Sequence, residues 1–223
     1  MTDSRDMILN RTSLTLEKLR GGKPAPDPAT IAAEAAALTK RAYATRPARG
    51  AGTLDEAFMA RVTSPAVAAT AERVRRLEDF PAAVARYLIG ADLAASVAVQ
   101  PHPRLLALDW TGIETHATLG VDEPVAVGLA LGGIAETGSL VFHSGQTTPT
   151  RFAFLPMHHI VAVDADRLWS GLEDYAAAFA GTPQPRNVNL VTGASGTTDI
   201  EGTLVRGAHG PGHLHIVLIT GTD

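Results

Sequence analysis

Apolar residues along this chain fall into two regimes. Up to about residue 100 they recur mainly at helical spacing, and beyond it they gather into short runs of strand length. Ile8, Leu9, Thr12, Leu16 and Leu19 lie near one face of a helix predicted over residues 5–20. The stretch Gly21 to Pro28 stops that helix, because its glycines relax the backbone and its three prolines forbid continuation. Asp27 is placed to cap a second helix, with Pro28 at its first position, through the alanine-rich residues 29–43. Further helices are predicted over 54–62 and 81–91, with a short strand within 66–74 and another over 93–99. Pro101-His102-Pro103 breaks the last of these.

The second half reads mostly as strands, over 125–131, 139–142, 159–163, 187–192 and 213–219, each short, apolar and rich in branched side chains. One helix is predicted among them, over 166–180, where Leu168, Leu172, Tyr175 and Phe179 are spaced by three or four. Helix and strand in alternation predict an α/β layer fold with a largely parallel sheet. An N-terminal helical arm and linker, residues 1–53, is expected to precede an α/β domain over 54–223.

Composition agrees with a globular chain: 45% of residues are hydrophobic and 19% charged, enough apolar side chain for one core. The longest charge-free apolar run, residues 124–135, is too short to span a membrane, which takes about 20 residues. The first residues carry both charges and lead into no apolar signal segment, so a soluble cytoplasmic protein is expected. There is no cysteine, hence no disulfide and no thiolate for an iron–sulfur cluster. Residues 1–110 carry a net charge of +3 and residues 111–223 one of −7, which argues against a nucleic-acid footprint.

Within the strand-rich half, Glu136-Thr137-Gly138-Ser139 is a polar knot between two apolar runs. A carboxylate beside a glycine and two hydroxyls can bind polar groups or act as base or nucleophile, or it can accept backbone hydrogen bonds at a strand junction. His158 and His159 enter a strand side by side, so they point to opposite faces and cannot share a metal. One is expected to face solvent, and the other to hydrogen-bond at the sheet edge or to sit as a satisfied histidine near the core. The stretch Thr192-Gly193-Ala194-Ser195-Gly196-Thr197-Thr198-Asp199 follows a strand with a turn rich in glycine and hydroxyls, suited to an anionic ligand or to a capped turn. His209-Gly210-Pro211 makes a tight turn before His213 and His215, which share one strand face. Neither a cysteine nor a carboxylate pair accompanies these histidines, and no metal site is expected.

Taken in order, Ile134-Ala135-Glu136-Thr137-Gly138-Ser139, Leu155-Pro156 with His159-Ile160-Val161, Thr192-Gly193-Ala194-Ser195 with Thr198-Asp199-Ile200-Glu201, and His209-Gly210-Pro211 with Leu214-His215 resemble the motifs of the lactate-utilisation (LUD) domain, in particular the C-type proteins. The resemblance implies the fold of the NagB, RpiA and CoA-transferase superfamily, a Rossmann-like, mostly parallel sheet flanked by helices with an antiparallel portion. It also implies an accessory or substrate-handling role in oxidising L-lactate to pyruvate beside iron–sulfur partner proteins. Site residues carried by the motifs are Glu136 as catalytic candidate, with Thr137, Gly138, Ser139, His159, Gly193, Ser195, Thr198, Asp199, His209 and Gly210 as ligand contacts. Two alternatives stand beside this reading. One is a free-standing enzyme resembling a CoA transferase or phosphosugar isomerase and using Glu136; the other is a non-catalytic regulatory or assembly module docking through its N-terminal helix.

Overall fold

The structure is a computed structural model describing residues 4–21, 27–39, 52–120, 122–198, 201–202 and 204–221. The chain forms two compact units, Met1–Ala48 and Arg49–Asp223. In the first, α1 (Ser4–Leu19) and α2 (Pro28–Thr39) are regular helices. Asp27 caps α2 as its sequence requires: its Oδ1 accepts from the Ala29 and Thr30 backbone N–H groups at 2.8 and 3.0 Å. The continuation of this helix expected to residue 43 lies outside the described residues.

The second unit begins with α3 (Leu54–Val62), entered through a capping box made by Thr53 and Glu56. There follow β1 (Thr70–Val74), α4 (Phe80–Gly90), β2 (Ser96–Val99), the single turn α5 (Pro103–Leu106), β3 (Glu114–His116) and β4 (Val125–Leu129). Next come β5 (Gly132–Ile134), β6 (Ser139–His143), β7 (His158–Asp164), β8 (Leu168–Trp169), α6 (Leu172–Ala178) and β9 (Val188–Val191). The chain then forms β10 (Gly196–Thr198), β11 (Leu204–Arg206) and β12 (His213–Ile219).

Six strands make one sheet in the order β1-β12-β7-β4-β2-β3, every neighbouring pair parallel. A sheet of this kind needs both faces covered. On one face Phe80, Val84 and Leu88 of α4 pack against Val97, Val127, Ile160 and Val217. On the other, Val161, Val163, Ile216 and Leu218 meet Phe58 and Val62 of α3 and Leu140 and Phe142 of β6. Residues on β4 and β7 are therefore buried whichever way they point, and those strands read as unbroken apolar runs instead of alternating ones.

The second face is covered by a four-stranded sheet, β8-β5-β6-β9, in which β5 pairs parallel with β8 and the other two pairs are antiparallel. It is assembled from the excursions between β4 and β7 and between β7 and β12. This is the antiparallel portion expected from the family resemblance, and the α/β class with a mostly parallel sheet flanked by helices is borne out. Two sequence expectations change. The helix predicted over 166–180 contracts to α6, because Leu168 and Trp169 pair with Gly133 and Ile134. The turn after residue 195 opens into the antiparallel hairpin β10–β11.

The order of strands reverses between β2 and β4. From β2 the chain moves outward to β3; it then returns to the other side of β2 as β4 and continues through β7 to β12, beside β1. Crevices in open parallel sheets lie at the strand carboxyl ends where such a reversal occurs. The loop after β9 is anchored to the start of the domain: Gly193 has φ +73°, and a Cβ there would stand 2.0 Å from the Val67 carbonyl oxygen. Gly193→Ala is expected to lower the unfolding free energy by about 2–4 kcal/mol, from overpacking and left-handed strain together. Urea denaturation checks this through the midpoint; an unchanged midpoint would mean that the loop does not depend on its seat against Val67.

Candidate functional site

The polar knot is the tip of the β5–β6 hairpin. Ala135 to Gly138 form its loop, Gly138 takes φ +71°, and Ile134 faces Ser139 across the first antiparallel pair. The Gly138 N–H closes the loop on the Ile134 carbonyl at 2.9 Å. This turn directs Ser139 inward, where it is buried, and leaves Glu136 exposed. The Ser139 hydroxyl lies 2.6 Å from both the Thr137 and Thr192 hydroxyls. A hydroxyl has one proton and two lone pairs, so Ser139 donates to at most one of the threonines and accepts from at least one, and the three form a hydroxyl chain. They line a groove of about 390 Å³ with Arg61 and the apolar side chains of Val67, Ile134 and Leu190. Glu136 is not part of that lining; its Oε2 lies beside Gly171, 3.0 Å from where a Cβ would stand.

The remaining described motif residues are not among those lining this groove. Ser195 donates its N–H to the Pro211 carbonyl at 2.7 Å and accepts from the Gly207 N–H at 3.1 Å. Gly210 lies against it, where a Cβ would come within 3.3 Å of the Ser195 Cβ. Thr198 and His209 are exposed, and Asp199 lies outside the described residues. The structure thus joins Thr137, Ser139 and Thr192 in one groove, sets Gly193 against Val67, and brings Ser195 to Gly210 in a separate turn.

His158 and His159 do point to opposite faces. His158 turns toward α4, with its Nδ1 2.9 Å from the Tyr87 hydroxyl and its ring stacked on His213 at 4.3 Å. His159 turns into the core, is 1% exposed, and stacks on Phe142 with 5.9 Å between ring centroids. It is a core histidine as expected, but neither of its ring nitrogens has a hydrogen-bond partner. Gly128 makes room for it, since a Cβ there would lie 2.9 Å from both His159 Nε2 and Gln100 Oε1. Among the described residues no group of three or more His, Cys, Asp or Glu is arranged to hold a metal.

A second cleft, of about 310 Å³, opens at the strand reversal. Its walls are Leu129, Ala130, Leu131 and Phe142, and its polar groups come from the ends of three separate strands. His102 and Arg104 follow β2, His143 and Thr148 follow β6, and Asp164 and Arg167 end β7. The Arg104 guanidinium grips the Asp164 carboxylate with two hydrogen bonds, of 2.6 and 3.1 Å. His102 Nδ1 accepts the Arg104 backbone N–H at 3.3 Å, which puts the proton of the neutral ring on Nε2. Burial lowers the His102 pKa, and the neighbouring Arg104 charge lowers it further against an opposing pull from Asp164. Burial likewise lowers that of His143, whose Nε2 is 2.8 Å from the Tyr175 hydroxyl.

Gln100 ties the cleft to the sheet. Its Oε1 accepts from the Leu129 N–H at 2.9 Å, and its Nε2 donates to the Thr147 carbonyl at 3.1 Å, joining the ends of β2 and β4 to the loop after β6. None of these cleft residues stood out in the sequence. The available signal was a strand running into Gln100-Pro101-His102-Pro103-Arg104, polar groups delivered at a strand's carboxyl end.

With this geometry in place, comparison with known proteins places residues 125–219 in the LUD domain family model. An uncharacterized protein of Neisseria meningitidis serogroup B is 34% identical over 89 residues, covering 39% of this chain and 38% of that protein. A lactate utilization protein C of Deinococcus radiodurans is 29% identical over 147 residues, covering 63% of this chain and 69% of that protein. Another, from an Exiguobacterium species, is 26% identical over 117 residues, covering 49% and 51%. The chain thus spans from 38% to 69% of the length of these relatives. A crystal structure of a DUF162 family protein from Deinococcus radiodurans superposes with a TM-score of 0.52 at 19% identity, covering 74% of this chain and 96% of that one, and supports the fold. The resemblance to C-type LUD proteins read from the motifs is borne out.

The buried imidazole makes stability depend on pH. Burial holds His159 at about 3, against an ordinary value of 6.5. Between those values the unfolded chain binds the extra proton, so its share of stability is whole above about pH 6.5 and falls as the pH drops. His159 alone is expected to remove about 2 kcal/mol between pH 7 and pH 5. Denaturant titrations of wild type and His159→Leu across that range check this. Equal pH slopes for the two proteins would contradict it.

Proposed function

We propose that this chain, whose residues 125–219 match the LUD domain, is an accessory or substrate-handling subunit in the oxidation of L-lactate to pyruvate, working in the cytoplasm with iron–sulfur partner proteins. The observation that carries the reading is the match itself: it runs through β4 to β12, which supply most of the lining of both clefts, and relatives from Deinococcus radiodurans and an Exiguobacterium species are named lactate utilization protein C. The chemistry agrees. Turning lactate into pyruvate removes two electrons and two protons, and a chain without cysteine offers no thiolates to a cluster that would take up the electrons. A thiolate-held cluster in this system therefore belongs to a partner, and this chain's share is to hold the small molecule or the partner in place. Among the described residues no helix is long and apolar enough to cross a membrane.

Deleting the gene is expected to abolish or strongly slow growth on L-lactate while leaving growth on pyruvate intact. Affinity purification of the chain from lactate-grown cells is expected to bring down an iron–sulfur protein. Normal growth of the deletion strain on L-lactate, with no iron–sulfur protein recovered, would end this reading.

A further inference from the structure

We propose that the cleft at the reversal between β2 and β4 binds a small carboxylate monoanion, with Arg167 as its counter-charge and His102 Nε2–H as a hydrogen-bond donor. Four observations lead there. The cleft lies where open parallel sheets take ligands, at the carboxyl ends of strands whose connections run in opposite directions. Its volume of about 310 Å³ is at the small end for a ligand site and suits a small molecule.

Charge then selects the ligand. Arg104, Arg167 and Asp164 are among the lining residues, and Arg104 is already doubly hydrogen-bonded to Asp164. Arg167 has no ion pair among the described residues, so the lining carries one positive charge beyond compensation. That suits a monoanion. A phosphate dianion would bring a second negative charge toward the Asp164 carboxylate without a second free cation to meet it. A guanidinium also matches a carboxylate in shape, with two parallel N–H groups for two oxygens.

The neutral groups add selectivity. His102 has its Nδ1 occupied by the Arg104 N–H and presents Nε2–H as a donor. Thr148 has committed its proton to the His143 carbonyl, at 2.5 Å, and is left as an acceptor for a ligand hydroxyl. Leu129, Leu131 and Phe142 supply an apolar wall for a short carbon chain. The assignment stands on these residues, and it rests on the lactate reading only for the choice of L-lactate and pyruvate as first probes.

Isothermal titration of the full chain at pH 7 with L-lactate, pyruvate, acetate and inorganic phosphate tests it. Saturable binding of at least one of the carboxylates is expected, weakened about tenfold or more in Arg167→Gln, partly restored in Arg167→Lys, and unchanged in Arg61→Gln, which alters the other groove. Arg167 is exposed, so both variants should fold, and circular dichroism melts confirm it. The proposal is overturned if no carboxylate gives saturable heat, if Arg167→Gln binds as wild type does, or if phosphate binds more tightly than every carboxylate. Should acetate bind through Arg167 while L-lactate and pyruvate do not, the site stands and the lactate reading falls.

Discussion

A parallel sheet has no face to spare for water, and the rest of this domain follows from that requirement. Helix α4 covers one side of the six strands. The other side is closed by α3 and by a smaller sheet that the chain builds on its way between strands. The smaller sheet is thus a lid on the core as well as the carrier of the polar knot. Because β5 and β6 are held against the core through Leu140 and Phe142, their hairpin tip cannot wander, and Ser139 is fixed between two threonines. The same closure traps His159. With Phe142 stacked over it and glycine at 128 beneath, the imidazole stays dry and neutral.

Placement of the charged cleft follows from topology. Strands that reverse direction of travel leave a gap at their carboxyl ends, and loops from β2, β4, β6 and β7 converge on it. Polar residues in such a gap must be paired or used, since an unmet charge in a partly dry site is costly. Arg104 and Asp164 meet each other, Gln100 satisfies two backbone groups, and the imidazoles shed their charge. Arg167 remains as the cation available to a ligand. The hydroxyl groove is different in character, with one guanidinium, three hydroxyls and mostly apolar walls.

Much of the scaffold is legible in the residues alone. Runs such as 125–129 and 213–219 announce buried strands because both faces of a parallel sheet are apolar, and α3 shows its capping box and α4 its periodicity and first-turn proline openly. Short elements are not legible. Three-residue β5 and two-residue β8 have no periodicity to read, and their pairing turned the start of an expected helix into strand. At the site, Thr137 and Ser139 were visible as polar residues in an apolar stretch, whereas their link to Thr192, 53 residues from Ser139, depends on β6 pairing with β9. Arg104 and Asp164 are 60 residues apart, and only the strand order makes them neighbours. His159 was expected in the core, but its unpartnered nitrogens are a property of Phe142, Gly128 and Gln100 around it, which sequence does not show.

The central claim is that the ligand site of this domain lies at the strand reversal and not at the hairpin tip. Backbone amide NMR of the full chain titrated with sodium pyruvate or L-lactate tests it most directly. Shifts concentrated at Gln100, His102, Arg104, Leu129 to Leu131 and Thr148 are expected. Shifts confined instead to Thr137, Ser139 and Thr192 would contradict it.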